Sequence, residues 1–330
     1  MIDLIIPTYK NKEGLRVSLQ SIPAEMLEWT TVTVIDDASN ISYHDILEDF
    51  PFIHYVGLTK NCGPGMVRQY GINHTCEQYI MFLDTGDYFL PVAEQIHDII
   101  KQNPEIDIFS WPFKIGDKIS KDNNNMLHGR VYKRNFLATY KICFSEQGSY
   151  ANEDIGFNQL CRLVLSKYYP DGSHVKILDT PIIVYDLEDM NSITRTGNFS
   201  FKFKMQNIGM AYNTIHVYNN AKRIGVSEKS LNNYISHIMS SEYFYFIRTL
   251  QERPEYAQNM WDGARYYYLN LYNQFKDNNE MTSMTYSRII RELKKDKNKN
   301  MPPFKINIYR FMNELEQFEQ VPDYYFEKGA

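Results

Sequence analysis

Over the first hundred residues, short apolar runs alternate with stretches whose apolar residues recur at helical spacing. The runs are Asp3–Pro7 (DLIIP), Thr31–Ile35 (TVTVI), Phe52–Val56 (FIHYV) and Tyr79–Leu83 (YIMFL). Between and after them come Leu15, Leu19 and Ile22, then Met66, Tyr70 and Ile72, then Val92, Ile96, Ile99 and Ile100. Near-continuous apolar strands separated by helices predict an α/β fold, a mostly parallel sheet covered on both faces. With 330 residues, 43% of them hydrophobic, the chain has room for one large domain and a smaller one. Ligands of such sheets bind beyond the carboxyl ends of the strands, so polar residues there are the first candidates.

Three strand ends carry them: Pro7-Thr8-Tyr9-Lys10, Asp36-Asp37-Ala38-Ser39 and Asp84-Thr85-Gly86-Asp87. Strand-end acids also serve as helix caps, and Asp37 or Asp87 can cap a following helix. Two acidic pairs on one rim are costly unless cations or hydrogen-bond donors neutralise them. Hard oxygen ligands suit a divalent metal with a diphosphate. The turn Gly63-Pro64-Gly65 leads into a helix carrying Arg68, and helix N-termini and arginines both suit phosphate. It is neither a P-loop nor a GxGxxG.

These segments together resemble the nucleotide-sugar-binding half of family 2 glycosyltransferases with the GT-A fold. The resemblance rests on IIPTYKNKEGLRVSLQSI, VTVIDDAS and NCGPGMVRQYGINHTCEQYIMFLDTGDYF, in that order. LHGRVYKRNFL (127–137), then Ile142-Cys143-Phe144 and Asn152-Glu153-Asp154-Ile155-Gly156-Phe157, resemble its acceptor half. Tyr185 and Asn191-Ser192-Ile193-Thr194-Arg195 resemble its closing strand and loop. The resemblance covers residues 2–196, which sets the expected boundary: a GT-A domain over 1–196 and a helical domain over 197–330.

The resemblance implies an inverting transferase that uses a UDP-linked sugar. Pro7, Thr8 and Tyr9 would line the nucleotide pocket, with Asp36 or Asp37 on the base and ribose and Arg68 near the nucleotide or diphosphate. Asp84, Thr85 and Asp87 would stand at the Asp-x-Asp site, where Asp84 and Asp87 would hold Mn2+ or Mg2+. Asp154, with Glu153 beside it, would be the general base. His128 either meets the donor phosphates or acceptor, or is a structural histidine. The departure from the family is Gly86, which stands where the family's Asp-x-Asp-Asp has its metal-gripping acid. Either Asp87 takes over, or metal binding is weak and Arg68 and lysines carry the leaving-group charge. Gln69, where the family often has Asn, is a milder change.

Charge divides the chain. Residues 1–195 hold 17 Lys+Arg against 26 Asp+Glu, and residues 196–330 hold 18 against 14, giving −9 and +4. The four cysteines show no metal spacing, no apolar run approaches the length of a membrane span, and the N-terminus reads as a strand rather than a signal peptide. A cytoplasmic protein with reduced thiols is expected. The back half reads helical and aromatic-rich at 234–250 and 264–275, with a basic stretch at 291–305 and a further amphipathic helix at 306–318. Helix-core packing, an acceptor platform or a homo-oligomer interface each fit that composition. A saccharide or lipid-linked saccharide is the first expectation for the acceptor. Modified DNA bases are the second, since a basic, tyrosine-rich module can hold nucleic acid. Loss of the acid at Gly86 also suits a catalytically inactive nucleotide-sugar-binding or assembly protein. A nucleotidyltransferase fits poorly, because PTYKNKEG lacks a Gly-rich, basic loop.

Overall fold

The computed structural model describes residues 1–120, 125–186, 199–295 and 308–325, with the side chains at 199–206 and 251 left aside. The chain divides into two compact units, Met1–Thr196 and Gly197–Ala330.

The first unit opens with β1 (Ile2–Thr8), α1 (Lys12–Gln20), β2 (Thr30–Asp36), α2 (His44–Asp49), β3 (Ile53–Gly57), α3 (Gly63–His74) and β4 (Tyr79–Phe82). It continues through β5 (Tyr88–Phe89), α4 (Ile96–Lys101), β6 (Ile108–Ser110), β7 (Phe113–Ile115), β8 (Lys118–Ser120) and β9 (Arg130–Lys133). It ends with α5 (Arg134–Tyr140), α6 (Glu153–Tyr168), β10 (Val175–Ile177) and β11 (Ile183–Tyr185).

Seven strands form the main sheet in the order β10-β6-β9-β4-β1-β2-β3. All run parallel except β9, which is antiparallel to both its neighbours. This is the mostly parallel GT-A architecture expected from the sequence. Its central strand β1 is buried on both faces: Leu4, Ile5 and Ile6 are fully inaccessible. Each such side chain contributes about 1.5–3 kcal/mol by leaving water. Helix α3 lies close on β1 because residue 71 is glycine; a Cβ there would come within 2.7 Å of Ile5 Cγ2.

Register places the candidate segments on one rim. Thr8 pairs with Asp36 across β1 and β2, and Asp36 pairs with Gly57 of β3. Ile5 pairs with Phe82 across β1 and β4, and the Leu83 N–H continues that ladder to the Ile5 carbonyl at 3.2 Å. A small second sheet, β5-β11-β7-β8, adds Phe113 and Tyr185.

Arg134 of the LHGRVYKRNFL segment works away from this rim. It donates to Asp3 Oδ2 and to the Glu77 carbonyl, each at 2.6 Å, and thereby ties α5 to the start of β1. The expected closing loop 191–195 lies outside the described residues.

The second unit holds α7 (Phe199–Ile224), α8 (Glu228–Glu252), α9 (Ala257–Gly263), a π-helical turn (Ala264–Tyr268), α10 (Leu269–Phe275), α11 (Asn279–Leu293) and α12 (Ile308–Gln317). Gly225, at φ +82°, ends α7, and Ser227 and Asn278 cap α8 and α11 through their side chains. Tyr243, Phe246, Trp261, Tyr268 and Phe311 are buried together, with the Phe311 ring 5.6 Å from Tyr243 and 6.0 Å from Trp261. Most rings of the aromatic runs thus form a helical core rather than a stacking platform; Tyr266, 70% exposed, is an exception. The basic stretch lies largely outside the described residues. No helix among those described is long and apolar enough to cross a membrane.

Candidate active site

The site is built around the turn after β4. The Asp87 N–H closes it onto the Asp84 carbonyl at 3.0 Å, and Gly86 inside it sits at φ +103°. Ser18 of α1, fully buried, pins the turn. Its Oγ accepts from the Gly86 N–H at 3.0 Å and donates to the Asp87 carbonyl at 2.7 Å. Thr85 donates to the Pro7 carbonyl, tying the turn to the end of β1. The Asp87 carboxylate accepts from the Asp186 N–H at 3.1 Å.

Across from Asp87 stands His128, just before β9. Its imidazole lies between the rings of Phe113 and Tyr185, at centroid distances of 5.2 and 5.1 Å. Nε2 is 2.7 Å from Asp87 Oδ2 and 3.7 Å from Asp84 Oδ2. One ligand atom from each of Asp84, Asp87 and His128 lies within 4.8 Å of the other two, a group that fits a metal ion. It is the one such group among the described residues. Two carboxylates and an imidazole suit a cation of the Mn2+ or Mg2+ kind.

Arg68, 3% exposed on α3, links this group to the acceptor-half acids. One guanidinium nitrogen pairs with Asp84; another donates to Glu153 Oε1 at 2.7 Å. Glu153 and Asp154 open α6, and Asn152 before them adopts a left-handed φ of +57°. Asp154 Oδ1 accepts from the Ile155 N–H at 2.7 Å, and its charge is felt by His128.

The second strand end has a different arrangement. Asp36 is held by the Ser39 hydroxyl and N–H and by the Tyr55 hydroxyl at 3.2 Å. Asp37 accepts from the Cys62 N–H at 2.7 Å and the Gly63 N–H at 2.9 Å, so it caps α3 rather than the next helix, α2. The Gly65 and Met66 N–H groups go to the carbonyl and Oγ of Ser149. The first turn of α3 is therefore saturated by protein groups and offers no free N–H to a phosphate. Thr8 is buried with its Oγ1 3.3 Å from the Tyr43 hydroxyl, while Tyr9 is 38% exposed at the rim.

Residues 3–163 match the model of glycosyl transferase family 2. The chain carries a family 2 glycosyltransferase domain. Over 192 residues it is 27% identical to the minor teichoic acid biosynthesis protein GgaA of Bacillus subtilis, covering 48% of this chain and 43% of that protein. The chain thus spans less than half the length of that relative. Its fold is similar to that of S. aureus TarS 1-349 in complex with UDP-GlcNAc, with a TM-score of 0.57 and 15% identity over 87% of this chain and 91% of that one. It is also similar to the mannosyltransferase PcManGT from Pyrobaculum calidifontis in complex with GDP-Man and Mn2+, with a TM-score of 0.52 and 10% identity over 95% and 84%.

The electrostatics of the site follow from burial set against ion pairing. Burial pushes the Asp87 carboxyl up, against the pull of His128. Burial also favours the neutral Asp84 and the neutral His128, but the ion pairs win: Arg68 and His128 hold Asp84 below its ordinary range, and Asp87 and Asp84 hold His128 above its own. Burial raises Glu153 and Asp154, and Arg68 opposes it in both. Residues 18, 113, 149, 185 and 186, which shape the site, were not among the sequence candidates. Only Tyr185 carried a signal, through its place in the closing strand.

Proposed function

We propose that this glycosyltransferase moves a sugar from a UDP-linked donor to an acceptor hydroxyl with inversion, and that Asp154 is the general base. The observation that carries the reading is the meeting of Asp84, Asp87 and His128 at the rim, with Arg68 joining them to the segment that bears Asp154. In one displacement the acceptor oxygen bonds to the anomeric carbon as the bond from that carbon to the diphosphate oxygen breaks. The acceptor proton passes to the Asp154 carboxylate, a transfer worth roughly 10²–10⁴-fold. The nucleoside diphosphate leaves with the bonding electrons. Burial raises the Asp154 pKa and so makes its ionised form a stronger base.

Asp84, Asp87 and His128 would hold the divalent cation, which when bound supplies positive charge against the leaving diphosphate. Arg68 adds a permanent charge on the same side. Pro7, Thr8 and Tyr9 line the nucleotide side, where the exposed Tyr9 ring, with the Lys10 ammonium 5.0 Å from its centroid, would stack on a base. Asp36 and Asp37 would reach a nucleotide only through oxygens that already accept protein hydrogen bonds, which makes shaping the pocket their main work. The UDP-GlcNAc complex of TarS and the Mn2+ complex of PcManGT support the donor and metal assignments by likeness of fold. The name of the Bacillus subtilis relative favours a surface glycopolymer as acceptor over nucleic acid.

The second reading is a nucleotide-sugar-binding protein without turnover. It is favoured by Gly86 and by the engagement of Asp84 with Arg68. A thermal-shift screen of UDP- and GDP-linked sugars with and without Mn2+ tests binding. Release of nucleotide from the same compounds tests turnover. The catalytic reading expects Asp154→Asn to keep donor binding and lose at least 100-fold in turnover. A wild type that binds donor and turns over nothing on any acceptor supports the second reading.

A further inference from the structure

The segment before Asp154 is fastened along α3. The Phe144 N–H donates to Gln69 Oε1 at 2.9 Å, and the Tyr150 hydroxyl donates to the Asn61 carbonyl at 3.1 Å. Between these points Ser149, with no accessible surface, makes three bonds to one turn. Its Oγ donates to the Cys62 carbonyl at 2.7 Å and accepts from the Met66 N–H at 2.7 Å; its carbonyl accepts from the Gly65 N–H at 3.0 Å. The approach is so close that a Cβ on Gly65 would lie 3.0 Å from Glu153 Cβ and 3.1 Å from Ser149 Cα. A Cβ on Gly63, itself at φ +81°, would lie 2.8 Å from the Tyr150 ring. Asp37 holds the same turn from the other side, through the Cys62 and Gly63 N–H groups.

The glycines of Gly63-Pro64-Gly65 therefore make room for protein backbone rather than for phosphate. We infer that Ser149 is a positioning residue that sets where Glu153 and Asp154 stand relative to Arg68 and the nucleotide side of the rim. The inference rests on reading Asp154 as the base. Three residues separate Ser149 from Glu153, and the left-handed Asn152 turns the chain directly into α6. A slip of this anchor moves the carboxylate, and a misplacement of about 1 Å costs on the order of 100-fold in rate.

The test is a double-mutant cycle on nucleoside diphosphate release, UDP from UDP-N-acetylglucosamine and UDP-glucose or GDP from GDP-mannose, with Mn2+. Ser149→Ala is expected to lower kcat about 10- to 100-fold with KM for the donor changed less than about threefold. Ser149→Thr, which keeps the hydroxyl, should recover part of the loss. In the Asp154→Asn background Ser149→Ala should cost nothing further. A full-rate Ser149→Ala beside a dead Asp154→Asn overturns this inference alone, whereas a full-rate Asp154→Asn overturns the base assignment. Full additivity in the double variant also overturns it. Should Ser149→Ala lose its cooperative melt, Gly65→Ala disturbs the same contact from the helix side, and the same non-additivity is expected.

Hydrogen exchange of amides 150–156 reads the anchor without any donor. It should quicken at least tenfold in Ser149→Ala while β1 is unchanged, and unchanged exchange overturns the inference.

Discussion

His128 Nε2 lies 2.7 Å from Asp87 Oδ2 in a pocket that leaves both side chains under 10% exposed. A buried imidazole and a buried carboxylate at that distance stabilise each other's charged forms. They also present two ligand atoms to whatever enters between them and Asp84. The turn places residue 86 with its N–H on Ser18 and sends the carboxylate of residue 87 inward.

Removing the imidazole should show first in the metal. His128→Gln is expected to weaken Mn2+ binding at least tenfold by titration calorimetry, and Asp87→Asn to do the same. Affinity equal to wild type in both variants would remove the proposed cation site.

Gly86→Asp would place the family's usual acid back in the turn, at φ +103°. Side chains are strained there, so the expected result is a loss of about 1–2 kcal/mol in urea unfolding with no tighter Mn2+ binding. A variant as stable as wild type with stronger metal binding would show that the turn tolerates the acid.

Asp37→Ala removes the cap on α3. A loss of about 1–2 kcal/mol is expected, seen as a fall of a few degrees in Tm with or without UDP. If stability is untouched and only the UDP-induced shift disappears, Asp37 is a nucleotide ligand rather than a cap.

Glu242 on α8, in the second unit, gives a pH test of stability. Burial pushes its carboxyl up to about 7. The folded chain thus holds this proton where the unfolded chain, near 4.5, has lost it. Its unfavourable effect is absent below that pH, grows between about 4.5 and 7 and is constant above. Glu242→Gln should add on the order of 1–2 kcal/mol to stability at pH 8 and nothing at pH 4. Equal urea midpoints for variant and wild type at pH 8 would contradict this.

Strands β1, β2 and β4 were legible because both faces of each are buried, which leaves continuous apolar runs; β3, at the edge of the sheet, is only partly covered. Asp84 and Asp87 were legible because they follow such a run directly. His128 stood out only through the LHGR segment, and its partner acid lies 41 positions earlier. The role of Asp37 was half legible. An acid at a strand end suggests a cap, but the helix it caps starts 26 residues later, beyond the reach of local pattern. Ser18 and Ser149 carried no signal at all. A serine among apolar neighbours looks the same whether its hydroxyl meets water or the backbone of a distant turn. In the second unit the aromatic runs read first as helix core, but only packing separates the buried Tyr268 from the exposed Tyr266.

The reversed direction of β9 has a consequence for how such a site can change. Strands β1, β2 and β4 deliver their polar residues to the rim where they end; β9 delivers His128 where it begins. The imidazole therefore hangs on the hairpin side of the chain, downstream of β7 and β8, while its acidic partners belong to the parallel layer. A change in the length of that hairpin would reach His128 without passing through the parallel ladder that holds Asp84 and Asp87.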